Sequence, residues 1–201
     1  MAKPIPTEVE VLSIRTSHQG FFKLTVRELR HRRFDGGWTP VLNRELFERG
    51  HAVAVLPYDP VADTVVMIRH FLPGAYVAGK EAWPLSIVAG MIEPRESLEG
   101  VARREAEEEA GLEIGELIKV ASYMPSPGGS TETIMIFCGL VDSKGAGGVH
   151  GVAEENEDIR VEVIPALDAI ALLDAGLILP SVAVISLHWL ARHRENLRRG
   201  V

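Results

Sequence analysis

One stretch, residues 90–112, constrains this chain more than any other: Gly90-Met91-Ile92-Glu93-Pro94-Arg95-Glu96, then Ser97 to Arg103, then Arg104-Glu105-Ala106-Glu107-Glu108-Glu109-Ala110-Gly111-Leu112. As a pattern it reads G-x5-E-x7-R-E-U-x-E-E-x-G-U, with U aliphatic. Ser97 is suited to cap the first turn of a helix, and Gly111 to end it in the left-handed conformation. Within that helix Glu105, Glu108 and Glu109 stand at i, i+3 and i+4, so they share a face. A run of glutamates is most often a solvated surface. Here, however, Leu98, Val101 and Ala102 form an apolar stripe whose next turn is Glu105 and Glu109. The acids therefore sit where packing should continue, with Arg103 and Glu107 outside. Like charges about 5 Å apart repel by roughly 3 kcal/mol per pair at an effective dielectric of about 20. Arg104 offsets one of them through an i, i+4 pair with Glu108. A divalent cation offsets the rest, and clustered hard oxygens suit Mg²⁺, Mn²⁺ or Ca²⁺.

The remainder of the chain narrows the setting. With 201 residues it can bury a real core, as one domain or one domain plus a small one. A net charge of −7 without a basic block argues against nucleic-acid binding. An anionic substrate would need local positive charge from metals and a few arginines. Cys138 is the only cysteine and lies in the apolar run 134–138. No disulfide framework is expected, and a reducing cytoplasm is the natural compartment. The N-terminus lacks a signal-peptide pattern, and the apolar stretch 182–190 is too short to cross a bilayer.

In chain order, the runs 9–14 and 21–26 alternate apolar and polar residues around a turn-like Ser17-His18-Gln19-Gly20, which predicts a β-hairpin. Asp35-Gly36-Gly37 predicts a further turn, so residues 1–47 form a small β unit. Residues 48–201 form the main domain. Strands are expected at 52–56, 64–68, 85–89, 118–123, 134–140 and 159–164, and helices at 166–175 and 181–198. The pattern 145–151 reads as a flexible stretch. Strands interleaved with helices predict an α/β fold with a mixed sheet covered on both faces.

The segment 90–112 resembles the Nudix box at every defined position. The resemblance extends over most of the chain and is to the ADP-ribose pyrophosphatase branch of the Nudix hydrolases, bacterial type. It rests also on Arg44-Glu45-Leu46-Phe47-Glu48-Arg49-Gly50-His51 and Glu155-Asn156-Glu157-Asp158-Ile159-Arg160-Val161. The resemblance implies an α/β/α sandwich preceded by a small N-terminal β domain that pairs the chain as a homodimer. It implies Mg²⁺, with Mn²⁺ as a substitute, held by the Ala89 carbonyl, Glu105, Glu108, Glu109 and Glu157. Glu96 and Arg104 match the orienting residues, and Glu155 the general base. Phe21, Arg44, Met91, Ser126 and Glu132 match substrate positions, and Pro127 matches a marker of the ADP-ribose group. The implied reaction is hydrolysis of the pyrophosphate linkage of ADP-ribose, or a related ADP-sugar, to AMP and a sugar phosphate. Alternatives are another nucleotide sugar, a dinucleotide, or a nucleotide-sensing module without catalysis. Two positions depart from the family pattern. Leu72 stands where a Gln-x-Arg arginine is usual, and Ser86 where an acid precedes the box. Arg69 lies near the first of these, but strand alternation points it elsewhere.

Overall fold

A computed structural model describes residues 5–200, and the chain divides into two compact units. The first holds the described residues up to Gly50 together with Met124–Thr133. The second holds His51–Tyr123 and the described residues from Ile134 onward.

The first unit is a three-stranded antiparallel sheet of β1 (Val9–Gln19), β2 (Lys23–His31) and β3 (Leu42–Glu48), in that order. The hairpin is longer than alternation alone indicates. β1 runs through the expected turn to Gln19, and the chain reverses at Gly20–Phe22 instead. Register shifts between Val11 and Ser13 and between Thr16 and His18 are the reason. Each bulge inserts a residue that breaks the period of two, so the true strand reads as two shorter ones. Phe21 therefore sits at the hairpin tip, 87% exposed, rather than inside a strand. Asp35 forms the predicted turn, its Oδ1 accepting the Gly37 N–H at 3.0 Å. The returning segment docks on β3: the Phe47 N–H donates to the Gly129 carbonyl at 2.8 Å, and the Thr131 N–H to the Phe47 carbonyl at 3.3 Å.

The second unit is built on β4 (Ala52–Asp59), β5 (Thr64–Arg69), β8 (Leu117–Tyr123), β9 (Ile134–Leu140), β10 (Gly148–His150) and β11 (Ile159–Pro165). Their order in the sheet is β10-β11-β5-β4-β9-β8. The strands pair antiparallel except β4 with β9, which run parallel from Ala52 opposite Ile134 to Tyr58 opposite Leu140. The apolar run 85–89 is two strands, β6 (Leu85–Ser86) on β5 and β7 (Val88–Met91) on β4, with Ile87 between them. Two further elements escape the sequence reading. α1 (Pro73–Val77) is one short turn of helix with no buried residue, so no apolar stripe announces it. β10 lies inside the glycine-rich stretch, where few side chains could show alternation.

Helices cover both faces. α2 (Leu98–Ala110) packs Val101, Ala102, Ala106 and Ala110 against one face of the sheet. α3 (Ala166–Asp174) and α4 (Ser181–Arg199) bury Ala169, Leu173, Ala183, Leu187 and Leu190 on the other. The mixed sheet between helical layers is the predicted α/β/α sandwich. Among the described residues, no helix is long and apolar enough to cross a membrane. The pairing registers place the starts of β4, β9 and β11 and the ends of β5 and β7 at one end of the sheet.

Asp63 ties the helical layer to the β4–β5 turn. Its backbone is left-handed (φ +60°), and its carbonyl accepts the Ala166 N–H at 2.9 Å. Its Oδ1 accepts from the Tyr58 hydroxyl at 2.9 Å and Arg194 Nε at 2.7 Å, and Arg194 Nη2 closes the fork on Oδ2. The Arg194 guanidinium holds the Asp63 carboxyl below the usual carboxylate range. A depressed folded-state value contributes stability that is present above the unfolded value of about 4 and is lost as pH falls through the folded value. Asp63→Asn is expected to cost about 2 kcal/mol near neutral pH. The check is urea unfolding across pH 2–7. The substituted protein should show the shallower acid limb, and parallel curves would reject the assignment.

Candidate active site

α2 forms as its sequence dictates. Ser97 Oγ accepts the Gly100 N–H at 3.0 Å, and Gly111 ends the helix at φ +62°. A Cβ at Gly111 would also meet the His150 ring at 2.6 Å. The acidic face lies against the β7 end of the sheet, as the apolar stripe implied. Glu105 and Glu109 are 9% and 3% exposed, while Arg103 and Glu107 are outside.

The two buried acids are held differently. Glu109 Oε2 accepts the Ala89 N–H at 3.0 Å. Burial pushes the Glu109 carboxyl up to about 8, with the charges of Glu105, Glu157 and Glu108 adding to the effect. Glu105 is likewise raised by burial, against the lowering effect of Arg104. Its carboxylate occupies the space that a side chain at Gly90 would fill: a Cβ there would stand 1.6 Å from Glu105 Oε1. Gly90 is thus needed for room beside Glu105, not for an unusual backbone angle.

Arg104 organises the rest. Its Nε and Nη2 form a fork on Glu96, at 2.9 and 3.2 Å. Nη1 donates to Glu105 at 2.8 Å and Glu108 at 2.9 Å, and Nη2 also reaches the Met91 carbonyl at 3.4 Å. Glu96 in turn accepts the Glu93 N–H at 3.1 Å, which fixes the loop between β7 and α2. The Arg104 fork holds the Glu96 carboxyl below the usual range. Arg104 itself is held firmly charged, first by Glu96.

Glu157 belongs to this neighbourhood, because its charge acts on both Glu105 and Glu109. Its Oε2 accepts the Val152 N–H at 3.0 Å. Glu155 does not join them. It lies exposed on a short 3-10 turn, Ala153–Glu155, one residue before the left-handed Asn156. Among the described residues, no three acidic, histidine or cysteine side chains already close around one point. Glu105 and Glu108 are turned to Arg104, and Glu157 to Val152. His70 was not anticipated from sequence. It follows β5 and feels the charge of Glu157, while burial keeps its pKa below the usual histidine value. The pairing of Arg69 with Arg160 explains this placement, and only the register reveals it.

The remaining predicted residues fall in the first unit, Met91 excepted. Glu132 is 8% exposed and pairs with Arg49 at 3.4 Å. Arg49 also lies over the Phe22 ring, 5.5 Å from its centre. Arg49 was not singled out from sequence, although it stands in the Arg44–His51 stretch. The Ser126 carbonyl accepts the Gly129 and Ser130 N–H groups at 3.1 and 2.9 Å, and its side chain is exposed. Arg44 is exposed, with Nη1 on the Asn43 carbonyl at 3.1 Å. At the two departures, the Leu72 N–H donates to the Ala82 carbonyl at 2.8 Å, and Ser86 is 4% exposed in β6. Arg69 does not replace the missing arginine. It is engaged by Glu162 at 2.9 Å and the Trp83 carbonyl at 3.0 Å.

A model of the NUDIX domain matches residues 48–179 of this chain. The chain belongs to the Nudix family. Nudix proteins similar to it over nearly their whole length include the ADP-ribose pyrophosphatase of Escherichia coli K12, 46% identical over 191 residues. That alignment covers 95% of this chain and 91% of the relative. The ADP-ribose pyrophosphatase of Haemophilus influenzae is 40% identical over 196 residues, covering 96% and 90%. The GDP-mannose pyrophosphatase of Citrobacter koseri is 38% identical over 156 residues, covering 77% and 79%. A crystal structure of an ADP compounds hydrolase superposes with a TM-score of 0.68 at 20% identity, covering 94% of this chain and 98% of that one, which shows the shared Nudix fold.

Proposed function

We propose that this chain is a divalent-metal-dependent hydrolase of the pyrophosphate linkage in ADP-ribose or a related ADP-sugar, releasing AMP and a sugar phosphate. The observation that carries the reading is the 46% identity to an ADP-ribose pyrophosphatase across 95% of the chain. The buried pair Glu105 and Glu109 supports it, since these two shielded carboxylates lie beside Glu108 and Glu157, and Arg104 is the cation that contacts Glu105 and Glu108.

The donor set fits a hard cation. All its side-chain oxygens are carboxylate, and the Gly90 notch leaves the Glu105 carboxylate room that any side chain would take. Mg²⁺, with Mn²⁺ as substitute, is assigned to Glu105, Glu108, Glu109, Glu157 and the Ala89 carbonyl. When bound it supplies a Lewis acid for the phosphoryl oxygens and lowers the pKa of water. The chain's own residues do the rest. Glu155, exposed on the 153–155 turn outside the acidic cluster, is assigned the proton of the attacking water, a role that requires that turn to close on the bound substrate. Water adds at phosphorus, and the anhydride P–O bond breaks. Glu96 fixes Arg104, which orients Glu105 and Glu108 as a supporting partner. Phe21, Arg44, Met91, Ser126 and Glu132 bind the substrate, Arg44 offering a planar fork to phosphate. The working form is taken to be a cytoplasmic homodimer paired through the N-terminal sheet.

A second reading is favoured by the 38% identity to a GDP-mannose pyrophosphatase over 77% of the chain, namely another nucleotide sugar. The deciding measurement is hydrolysis of a panel containing ADP-ribose, other ADP-sugars and GDP-mannose, with Mg²⁺ and with chelator. The expected result is metal-dependent AMP release with ADP-ribose preferred by at least about tenfold in kcat/KM, or about 1.4 kcal/mol. Preference for GDP-mannose would move the substrate assignment, and no release from any of them would remove the hydrolase reading.

A further inference from the structure

The register of the N-terminal sheet sets Arg27 of β2 directly opposite Arg44 of β3. Directly opposed residues in an antiparallel pair project from the same face with Cβ atoms about 5 Å apart, and like charges placed so destabilise the sheet. The same face carries Lys23, opposite Glu48, and Thr25, opposite Leu46. Its only anion from the three strands is Glu48. From β1 this face receives Val9, Val11, Ile14, Thr16 and Gln19, none of them charged.

Glu48 is already shared. Its Oε1 accepts from Thr25 Oγ1 at 2.8 Å and Arg27 Nη2 at 3.1 Å, and its Oε2 pairs with Lys23 at 3.4 Å. One carboxylate thus serves two of three cations, and among the described residues Arg44 has a backbone carbonyl as its partner, that of Asn43. Arg27 is also incompletely used. Its Nε–H is shielded from solvent and has no acceptor among the described residues. A buried donor without an acceptor is costly, and native proteins rarely leave one so. Two adjacent planar forks, an unmet donor and a surplus of two positive charges describe a seat for a multiply charged oxyanion.

We propose that Arg27 and Arg44 together form a paired-guanidinium cradle for the diphosphate of the substrate, with Arg27 the second, unassigned arm. This rests on the reaction proposed above only for the identity of the anion. Arg27 binds and positions and takes no part in proton transfer. Its loss should therefore appear in binding and in KM rather than in kcat.

The test uses the full chain. With chelator present, ADP is titrated calorimetrically into the parent, Arg27→Gln and Arg27→Lys. Arg27→Gln should weaken ADP binding about tenfold, the loss of one charged hydrogen-bonding arm, and lessen its salt dependence. AMP, with one phosphate, should be affected less. For ADP-ribose hydrolysis, KM should rise by about the same factor with kcat within about threefold. Unchanged ADP binding in Arg27→Gln overturns the cradle, as does a fall in kcat at constant KM. If Arg27→Gln proves unstable to heat, Arg27→Lys decides: it keeps the charge near Glu48 but not the fork, so weaker ADP binding upholds the cradle and parental binding overturns it. Should the parent fail to hydrolyse ADP-ribose, the reaction is wrong, while the ADP titration still judges the cradle.

Discussion

Glu109→Gln is expected to lower kcat for ADP-ribose by about 10³-fold, or about 4 kcal/mol of transition-state stabilisation, without loss of fold. The side chain is 3% exposed and accepts a hydrogen bond from the Ala89 N–H. Glutamine has the same shape, and its amide oxygen can still accept that bond. What it lacks is charge, the property that holds a hard cation. The metal-free protein should be no less stable in thermal unfolding, because a buried carboxyl whose charged form is poorly solvated has been replaced by a neutral isostere. Activity restored by raising Mg²⁺ would identify weakened ion binding as the cause. Activity near the parental level at ordinary Mg²⁺ would remove Glu109 from the metal assignment. A sharp loss of melting temperature with chelator present would mean the residue is structural.

The second large effect is expected at a residue with no side chain. Gly90→Ala should reduce turnover about 10²-fold, because the new methyl occupies the position of the Glu105 carboxylate. Something must move, and the carboxylate is the freer of the two groups. It would turn off Arg104 Nη1, which it meets at 2.8 Å, and away from Glu109 and the β7 backbone. The structural cost should stay near 1–3 kcal/mol, the range for a modest overpacking. A double-substitution cycle separates this account from general damage. If the methyl acts through Glu105, Gly90→Ala should add little to the activity already lost in Glu105→Gln. Losses that multiply would show that Gly90 matters by another route.

The distribution of what the sequence revealed has a physical basis. α2 was legible to the residue because its cap, its stop and its charge pattern are local. Ser97 and Gly111 do there what their chemistry requires, and the apolar stripe placed Glu105 and Glu109 inward. The parts decided by pairing between distant residues were not legible. Bulges hid the true length of β1 and moved Phe21 onto a turn. Nothing near His70 indicates Glu157, and nothing near Glu132 indicates that Arg49 meets it. Arg27 is inconspicuous beside Arg44, because two side chains seventeen positions apart in sequence are made neighbours by the register alone. Leu72 stood out as a lost positive charge. The structure adds that neighbouring Arg69 is engaged with Glu162, so the obvious replacement is already in use.

The first unit is completed by a segment that lies far along the chain. Phe47 on β3 exchanges backbone hydrogen bonds with Gly129 and Thr131, and it bridges to Ser130. During synthesis at about 5–20 residues per second, β3 therefore waits several seconds for this partner to leave the ribosome. Throughout that interval its edge carries free N–H and C=O groups, the arrangement that invites a neighbouring nascent chain to add a strand. Arg44, Glu45 and Glu48 along β3 place charge on that waiting edge and make such capture unfavourable. The order of emergence thus gives the polar residues of β3 work to do before any substrate is met.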